Sequence, residues 1–415
     1  MAVVRNIAHF DLDSFFVGVE LLKDPSLKGK PIAVGGSSER GVVASCSYEA
    51  RRFGVRSAMP VKLAKRLCPE LIMVKGDFSS FSKYSRLVTD IIAAEVPLFE
   101  KSSIDEFYID LTGMDKFFGC SKFTSALRKK IELESGLDIS YGLSSNKLVS
   151  KIATNEAKPH GQIEIPHGYE KSFLAPLPVD KMPMIGAKTT TLLRSMGIET
   201  LSALSAMPHE KLTNLLGKSG LYLWQRANGI DDSPVSSYRE QKSISTENTF
   251  IADTADIQFL HAELVRMTGK VAFELRSGRK LTGCIAVKIR YSDFETVSMQ
   301  CTISYTASDH ILQEKARELF DKLYKPPLEV RLIGLRLSHL IAGSYQTDLF
   351  EDTGEMIKLY QAIDSIKQSY GEKFLIRASG QQKKNKSEEV LSRQRLLKED
   401  RKGPGDESGP TFPGR

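Results

Sequence analysis

Three acidic residues that are far apart in the sequence fall at positions where they could share one site. Asp11 ends a short apolar stretch, and Asp105 and Glu106 directly precede another that begins at Phe107. Such stretches predict β-strands, which places the carboxylates at strand ends. Three neighbouring carboxylates repel unless cations lie between them, and hard divalent ions such as Mg²⁺ take oxygen ligands. Two such ions about 3.5–4 Å apart support nucleotidyl transfer, whereas either motif alone is also typical of a solvated acidic turn.

A second group of residues combines positive charge with helical spacing. Tyr48, Arg51 and Arg52 recur at i, i+3 and i+4, so they share one face of a predicted helix. Without further context this face could simply be a solvated helix surface. Three lysines separated by four and seven residues predict another basic face, suited either to solubility or to phosphate steering: Lys147, Lys151 and Lys158.

Two adjacent aromatic residues, Phe15 and Phe16, follow the first predicted strand. If the chain stays extended here, neighbouring side chains point to opposite faces. One ring would then face a bound ligand while the other joins the core. Burial of both rings in the core is the alternative interpretation.

In the first part of the chain, both strands and helices are predicted around these residues. Strands are predicted at 31–34, 41–44 and 139–143, and helices at 47–53, 60–67, 78–95, 121–134 and 146–157. Residues 168–235 are rich in short helices interrupted by glycines, and 236–242 form a polar linker. Beyond the linker a βαββαβ order is readable, the split-βαβ arrangement. Its strands are at 243–250, 284–291, 296–304 and 329–340, and its helices at 256–276 and 309–323.

Composition limits the class of protein. A chain of 415 residues is too long for one hydrophobic core, so several domains are expected. A net charge of +7 mildly favours an anionic partner. Five scattered cysteines without a CxxC pair predict reduced thiols rather than disulfides or a zinc site. No apolar run approaches the roughly 20 residues that cross a bilayer, so we expect a soluble, cytoplasmic protein with no membrane partner. Nothing in the sequence suggests a stable self-association surface, so we expect a monomer.

Four ordered motifs resemble those of the Y-family translesion DNA polymerases, close to the DNA polymerase IV branch. The motifs are Phe10–Glu20, Ser47–Val55, Ser103–Glu106 and Lys151–Gly161. They occur in family order and at family spacing over about 150 residues, and the resemblance continues less sharply to about residue 345.

The resemblance implies an α+β multidomain, right-hand polymerase with palm, small fingers, helical thumb and a βαββαβ little-finger domain. A basic C-terminal segment with few apolar groups should be disordered. The predicted domains are the palm 1–19 and 78–167, fingers 20–77, thumb 168–235, linker 236–242, little finger 243–342, clamp-binding segment and helix 343–380, and basic tail 381–415.

The resemblance also implies a catalytic centre with two Mg²⁺ ions. Asp11 and Asp105 would bridge both ions, and Glu106 would hold the ion that activates the primer 3′-OH. The Leu12 carbonyl would join the triphosphate-side ion, and Asp13 would have a supporting role. The chain would then be a DNA-directed DNA polymerase that extends primer-template DNA at low fidelity in translesion synthesis.

Residues that bind the incoming deoxynucleoside triphosphate are implied by the same motifs. Phe16 corresponds to the steric gate that rejects a ribose 2′-OH, with Phe15 beside it. Small side chains at Ala44 and Ala58 would leave the roof over the nascent base pair loose. The triphosphate oxygens would be bound by Ser45, Tyr48, Arg51 and Lys158.

The thumb contains a segment, Pro183–Ile198, that resembles a helix-hairpin-helix, in which backbone N–H groups meet a DNA phosphate. Met184 occupies the position of the usual first glycine. A plain helical connection is an equal alternative from these residues alone. A weaker second hairpin begins near Leu216, and the predicted DNA contacts of the two are Gly186, Lys188, Gly217 and Gly220.

A short peptide after the little finger resembles a bacterial sliding-clamp-binding motif. Gln346 is followed three and four residues later by Leu349 and Phe350, and 65 residues follow. The alternative is that Leu349 and Phe350 pack on the little finger or start the helix predicted at 355–369.

Two other function classes compete with a polymerase. A non-catalytic DNA- and clamp-binding scaffold could keep the fold and lose the chemistry, but all three metal carboxylates are present. A nucleotidyl cyclase can have a similar carboxylate pattern, but the finger motif and the long basic C-terminal half disfavour it.

Overall fold

The computed structural model describes residues 4–36, 40–114, 119–238, 240–343, 354–371, 374–375 and 377–380. The chain divides into two compact units, Met1–Arg239 and Glu240–Arg415. The division falls inside the predicted linker. The finer division into palm, fingers and thumb remains a prediction.

A five-stranded sheet forms the centre of the first unit. In spatial order its strands are β5 (Phe99–Lys101), β6 (Glu106–Asp110), β1 (Ile7–Leu12), β7 (Ile139–Ser144) and β8 (Gln162–Glu164). All residues of β1 and β7 are buried, which requires cover on both faces of the sheet. The helices around it are α1 (Phe15–Lys23), α4 (Phe78–Glu95), α5 (Cys120–Ser135) and α6 (Lys147–Ala157).

The two faces of β1 have different neighbours. Ala8 and Phe10 pack in one hydrophobic cluster with residues of α4 and α5. His9, on the opposite face, hydrogen-bonds Thr154 of α6 at 2.8 Å. Gly142 of β7 allows α6 this close approach, because a Cβ at that position would lie 2.3 Å from the Ser150 carbonyl oxygen. Alternation therefore places Asp11 on the α6 side of the sheet.

A smaller sheet lies between α1 and α4 in the sequence. It has the order β3 (Val43–Cys46), β2 (Ile32–Gly35), β4 (Ile72–Val74). Helices α2 (Tyr48–Arg52) and α3 (Val61–Leu67) pack with it around a separate cluster that includes Val43, Ala50 and Ala64. Ser47 begins α2 by accepting a hydrogen bond from the Ala50 N–H at 3.2 Å.

The last part of the first unit is helical, as the glycine-interrupted pattern predicts. Its core joins residues of these helices to Leu148 and Ile152 of α6. The helices are α7 (Glu170–Leu174), α8 (Ala187–Ser195), α9 (Leu201–Ala206), α10 (His209–Leu216) and α11 (Lys218–Ala227).

The second unit has the predicted βαββαβ order. Its elements are β9 (Ser243–Thr254), α12 (Ile257–Ser277), β10 (Lys280–Tyr291), β11 (Thr296–Thr306), α13 (Asp309–Leu323) and β12 (Val330–Ala342). The sheet order is β11-β10-β12-β9 with antiparallel neighbours. Each strand–helix–strand unit is therefore split by one strand of the other, and both helices bury apolar residues in one shared core.

A further helix, α14 (Gly354–Tyr370), matches the helix predicted at 355–369. It is attached to α12 by a buried ion pair, in which Arg276 contacts Asp364 at 2.6 Å. Arg276 also contacts Asp309 at 2.6 Å, and its guanidinium lies 5.0 Å from the ring centre of Tyr360. The C-terminal helix is thus part of the second unit.

The α+β multidomain fold class is confirmed, and all five cysteines are free. Among the described residues, no helix combines the length and apolar character needed to cross a membrane. One local prediction is wrong: the chain is not extended at Phe15 and Phe16, because both residues begin α1. Ser14 turns the backbone with a left-handed φ of 45° directly before this helix.

Candidate active site

The backbone brings the three predicted carboxylates to one end of two paired strands. Asp11 of β1 lies directly opposite Glu106 of β6 in antiparallel register. The Leu12 N–H donates a hydrogen bond to the Asp105 carbonyl oxygen at 3.1 Å, which extends the pairing by one residue. Positions separated by about 95 residues thus become neighbours.

Each carboxylate of this group contacts a further side chain, from α6 or its C-terminal end for Asp11 and Glu106 and from the same turn for Asp105. Lys158, directly after α6, contacts Asp11 at 2.5 Å. Lys151 of α6 contacts Glu106 at 2.6 Å. Asp105 accepts a hydrogen bond from the Ser103 hydroxyl at 2.5 Å.

The pKa of Asp11 is perturbed mainly by burial and to a smaller extent by the neighbouring carboxylates. Burial raises its pKa to about 7, against the opposing effect of Lys158, and the charges of Asp105 and Glu106 add to the rise. Only two of the three carboxylates contact a lysine, and the charge of Lys158 does not offset the effect of burial on Asp11. In the part of the chain that the structure describes, no three acidic, histidine or cysteine side chains converge as a formed metal site. The oxygen donors themselves are of the type that hard divalent ions prefer.

Asp13 connects three segments around the site. Its carboxylate accepts hydrogen bonds from the Tyr48 hydroxyl at 3.2 Å, the Ser140 hydroxyl at 2.8 Å and the His160 N–H at 2.7 Å. Asp13 is buried directly after the end of β1, and both of its carboxylate oxygens accept hydrogen bonds from these partners. The arrangement agrees with a supporting role and leaves Asp13 outside the carboxylate cluster.

Three of the predicted triphosphate-binding residues lie on neighbouring elements, Ser45 on β3 and Tyr48 and Arg51 on α2, and Lys158 lies directly after α6. The Arg51 guanidinium carbon lies 4.6 Å from the ring centre of Tyr48, so the two residues share a face as the helical spacing predicts. Ser45 is buried on β3, and Arg52 is exposed. Burial raises the pKa of Tyr48, and the Asp13 charge adds to this rise, so the hydroxyl keeps its proton and acts as a donor.

Phe15 and Phe16 have different environments within the first turn of α1. Phe15 is only 3% exposed and belongs to the core. Phe16 is partly exposed and stacks on Phe81 of α4 with ring centres 4.3 Å apart. The two rings therefore differ in exposure, as predicted. The difference arises from their positions in the first turn of a helix and not from alternation along an extended chain.

The predicted basic face of Lys147, Lys151 and Lys158 is not a free surface. Lys147 is buried against Glu100 at 2.6 Å, and Lys158 lies beyond the last residue of α6. Together with the contacts above, each lysine pairs with a different acidic residue. The sequence spacing signalled a shared face but did not reveal these partners, which come from β1, β5 and β6.

The predicted thumb glycines have distinct structural roles. Gly186 precedes α8 and Lys188 is exposed, while Gly217 between α10 and α11 has a φ of +62°. Gly220 is required by packing, since a Cβ there would lie 2.0 Å from the Leu212 carbonyl oxygen. Met184 has a φ of +76°, so it keeps the backbone conformation that glycine favours. The DNA contacts assigned to Gly186, Lys188, Gly217 and Gly220 remain predictions.

The predicted clamp-binding residues Gln346, Leu349 and Phe350 lie outside the described residues. Their assignment remains a prediction.

Comparison with protein families gives matches along most of the chain. The impB/mucB/samB family matches residues 10–155, and the C-terminal domain of the same family matches residues 241–349. The helix-hairpin-helix motif described as the IMS family HHH motif matches residues 167–198. The solved structure of a Y-family DNA polymerase chimera superposes with a TM-score of 0.73 and 25% identity, covering 81% of this chain and 100% of that chain.

The similarity to curated relatives extends over nearly the whole length of those relatives. A DNA polymerase IV of Dehalococcoides mccartyi is 40% identical over 372 residues, covering 89% of this chain and 95% of the relative. A DNA polymerase IV of Treponema denticola is 36% identical, covering 97% of this chain and 100% of the relative. This similarity, together with the paired strands that carry Asp11 and Glu106, shows that the chain belongs to the Y family of DNA-directed DNA polymerases, on its DNA polymerase IV branch.

Proposed function

We propose that this protein is a template-directed, low-fidelity polymerase of translesion synthesis that adds deoxynucleotides to a primer 3′-OH. The observation that carries the proposal is the pairing of Asp11 with Glu106, next to Asp105, at one end of the sheet. Family membership supports the reaction class, and the proximity of these carboxylates supports their assignment as metal ligands.

The family fold implies dependence on divalent metal ions, and we propose two Mg²⁺ ions. Asp11 and Asp105 would hold both, Glu106 would hold one, and the Leu12 carbonyl would hold the other. When bound, such ions would offset the negative charge of the triphosphate and stabilise the charge that develops on the attacking and leaving oxygens. Asp11 must exchange its contact with Lys158 for this role, which frees the lysine beside the nucleotide.

Binding of the triphosphate is assigned to side chains on α2, β3 and the segment after α6. Arg51 offers a planar fork suited to two phosphate oxygens, whereas Lys158 acts as a point charge. Tyr48 is oriented by its hydrogen bond to Asp13, and Ser45 adds a hydroxyl. These groups hold the nucleotide in line with the primer end, which is the main contribution that a protein makes to phosphoryl transfer.

Selection of the sugar and tolerance of damaged bases are assigned to separate residues. Phe16, stacked on Phe81, would block a ribose 2′-OH. Ala44 and Ala58 are exposed small residues that would leave the roof of the base-pair pocket open, which favours bypass at the expense of fidelity.

Further partners complete the proposal. Primer-template DNA would be bound through phosphates by the thumb hairpins and the little finger, largely without regard to sequence. A bacterial sliding clamp would bind the peptide that contains Gln346, Leu349 and Phe350. The enzyme would act as a monomer in the cytoplasm.

Primer extension by the purified chain tests the proposed chemistry. Extension should require Mg²⁺ and a template, and should fall by about 10³-fold or more in Asp105→Ala and in Glu106→Ala, because each change removes a metal ligand worth several kcal/mol. Primer-template affinity should stay near that of the unchanged protein, since it depends mainly on basic contacts. DNA binding without Mg²⁺-dependent extension by the unchanged chain would instead identify a non-catalytic scaffold.

A further inference from the structure

A groove of about 230 Å³ lies beside the turn that carries Asp105 and is separate from the residues assigned to metal and nucleotide. One wall is a single face of α4, with residues at i, i+3, i+4 and i+7. The opposite wall comes from the end of β5 and the β5–β6 turn. The lining residues are Ser82, Ser85, Arg86 and Thr89 on the helix, and Lys101 and Ile104 on the other side.

Hydrogen bonds hold the two walls together. The Ser85 hydroxyl donates to the Ile104 carbonyl oxygen, and the Lys101 ammonium donates to the Thr89 hydroxyl at 2.8 Å. Lys101 also reaches the Ser85 carbonyl oxygen at 3.4 Å. The groove is therefore preformed, and its short hydroxyl side chains leave space between two longer cationic ones.

The groove has an excess of positive charge. Neither Arg86 nor Lys101 forms an ion pair with an acidic residue in the described ranges. Burial lowers the pKa of the Lys101 ammonium; Asp90 opposes this shift, and Arg86 adds to it. Asp90 does not line the groove. Two like charges are thus held near each other around an open space, and an anion between them would relieve their repulsion.

We propose that this groove is a binding site for a phosphate group. Arg86 would supply a planar donor fork, Lys101 a point charge, and Ser82 a neutral hydroxyl donor. Thr89 would orient the Lys101 ammonium, because its own hydroxyl already donates to the Ser85 carbonyl oxygen at 2.6 Å. Phosphate could come from a phosphodiester of the primer strand or from a free phosphate or pyrophosphate ion. The primer strand as the source of the phosphate rests on the proposed polymerase function. Ile104 directly precedes Asp105, so a primer end at the carboxylates would bring its last phosphodiesters toward this wall of the groove.

The DNA source is tested with the full chain and a fluorescein-labelled primer-template that has a recessed 3′ end. The variants Arg86→Gln and Lys101→Gln are compared with Lys83→Gln, an exposed lysine on the same helix that does not line the groove. Binding is measured by anisotropy between about 50 and 200 mM salt. Each groove variant should weaken binding several-fold and reduce the salt slope by about 0.7–0.9, the value of one phosphate contact. Lys83→Gln should change neither.

The free-ion source is tested by titrating inorganic phosphate and pyrophosphate into the same proteins and following phosphorus NMR line widths. Broadening by the unchanged chain that both groove variants abolish, with unaltered DNA salt slopes, would support the groove as a free-phosphate site. If neither probe distinguishes the groove variants from Lys83→Gln, the proposal is wrong. Primer extension by the unchanged chain, run in parallel, shows separately whether the proposed function holds.

Discussion

Asp11 and Glu106 are directly paired across β1 and β6, yet each carboxylate contacts its own lysine. Lys158 lies 2.5 Å from Asp11, and Lys151 lies 2.6 Å from Glu106. The same two carboxylates are the proposed metal ligands. A divalent ion must therefore compete with these lysines, and with protons, for the site.

Metal affinity should increase with pH through neutrality. Burial raises the pKa of Asp11 to about 7, with Asp105 and Glu106 adding to the effect of burial, so below that pH a proton occupies the ligand. Calorimetric titration of Mn²⁺ without DNA should show tighter binding and proton release between about pH 6 and pH 8, levelling off above. Asp11→Asn should weaken binding and remove the pH step. Equal affinity across this range in the unchanged chain would contradict the assignment.

Asp11 should also make the free energy of unfolding of the metal-free protein depend on pH, in the opposite sense to a usual aspartate. Its pKa rises on folding from 3.8 to about 7, so the native state binds the proton more tightly than the unfolded state does. The resulting stabilisation is fully present below about pH 4 and is lost as pH rises toward 7. Denaturant titrations in chelator should show that Asp11→Asn removes this component, and an unchanged pH profile in the variant would argue against it.

Phe16→Ala should admit ribonucleotides. Removing the ring would relieve the proposed clash with the 2′-OH, and the ratio of kcat/KM for dCTP against CTP opposite template G should fall on the order of tenfold or more. Phe15→Ala is the matched control: it should cost about 3–5 kcal/mol of unfolding free energy through a core cavity while keeping the ratio. If the ratio stays unchanged in Phe16→Ala and falls in Phe15→Ala, the gate is Phe15.

Local patterns predicted the second unit well, because its long strands and amphipathic helices carry their periodicity in consecutive residues. The order from β9 to β12 is confirmed on this basis. The start of α1 was not predictable in the same way. Ser14 accepts no helix-capping hydrogen bond, and the turn depends on its left-handed backbone rather than on a recognisable capping motif.

The candidate site was predictable in its carboxylates but not in their partners. Motif order placed Asp11 near Asp105 and Glu106, and the strand register agrees. The pairing of Lys151 with Glu106 depends on how α6 lies across the sheet, a contact over 45 residues that no local pattern encodes. The burial of Lys147 against Glu100 was missed for the same reason.

Alanine at Gln346, Leu349 and Phe350 together should reduce clamp-stimulated extension and leave clamp-free extension unchanged. Leu349 and Phe350 would anchor in an apolar pocket of the clamp, where such groups carry most of a peptide's affinity. Tethering also raises the effective concentration of the enzyme at the primer end. Primer extension with and without a sliding clamp measures the effect. Lower thermal stability and basal activity, with clamp stimulation retained in proportion, would show instead that these residues pack on the little finger.

Arg276→Met should destabilise the second unit by about 3–5 kcal/mol, because it removes the cation that contacts the buried Asp364 and leaves Asp309 only its weaker contact with Arg377, at 3.3 Å. The Arg276 side chain is 4% exposed between Asp309 and Asp364. Arg317→Met, which removes a largely exposed cation from α13, should cost less than about 1 kcal/mol. Chemical denaturation of the full chain compares the two variants, and equal losses would contradict the difference in burial.

The three hydrogen bonds of Asp13 have a consequence for how variants combine. One carboxylate fixes Tyr48, which comes from α2, and the backbone of His160, two residues after Lys158. Two groups that we propose to bind phosphate, from separate segments, therefore share a single support. Kinetic effects of changes at Tyr48 and Lys158 should then be non-additive in a double-mutant cycle, and replacement of Asp13 should reduce their interaction energy. Within the family, substitutions at these positions would be constrained as a group, so that an otherwise tolerated exchange at one of them becomes harmful when another has already changed.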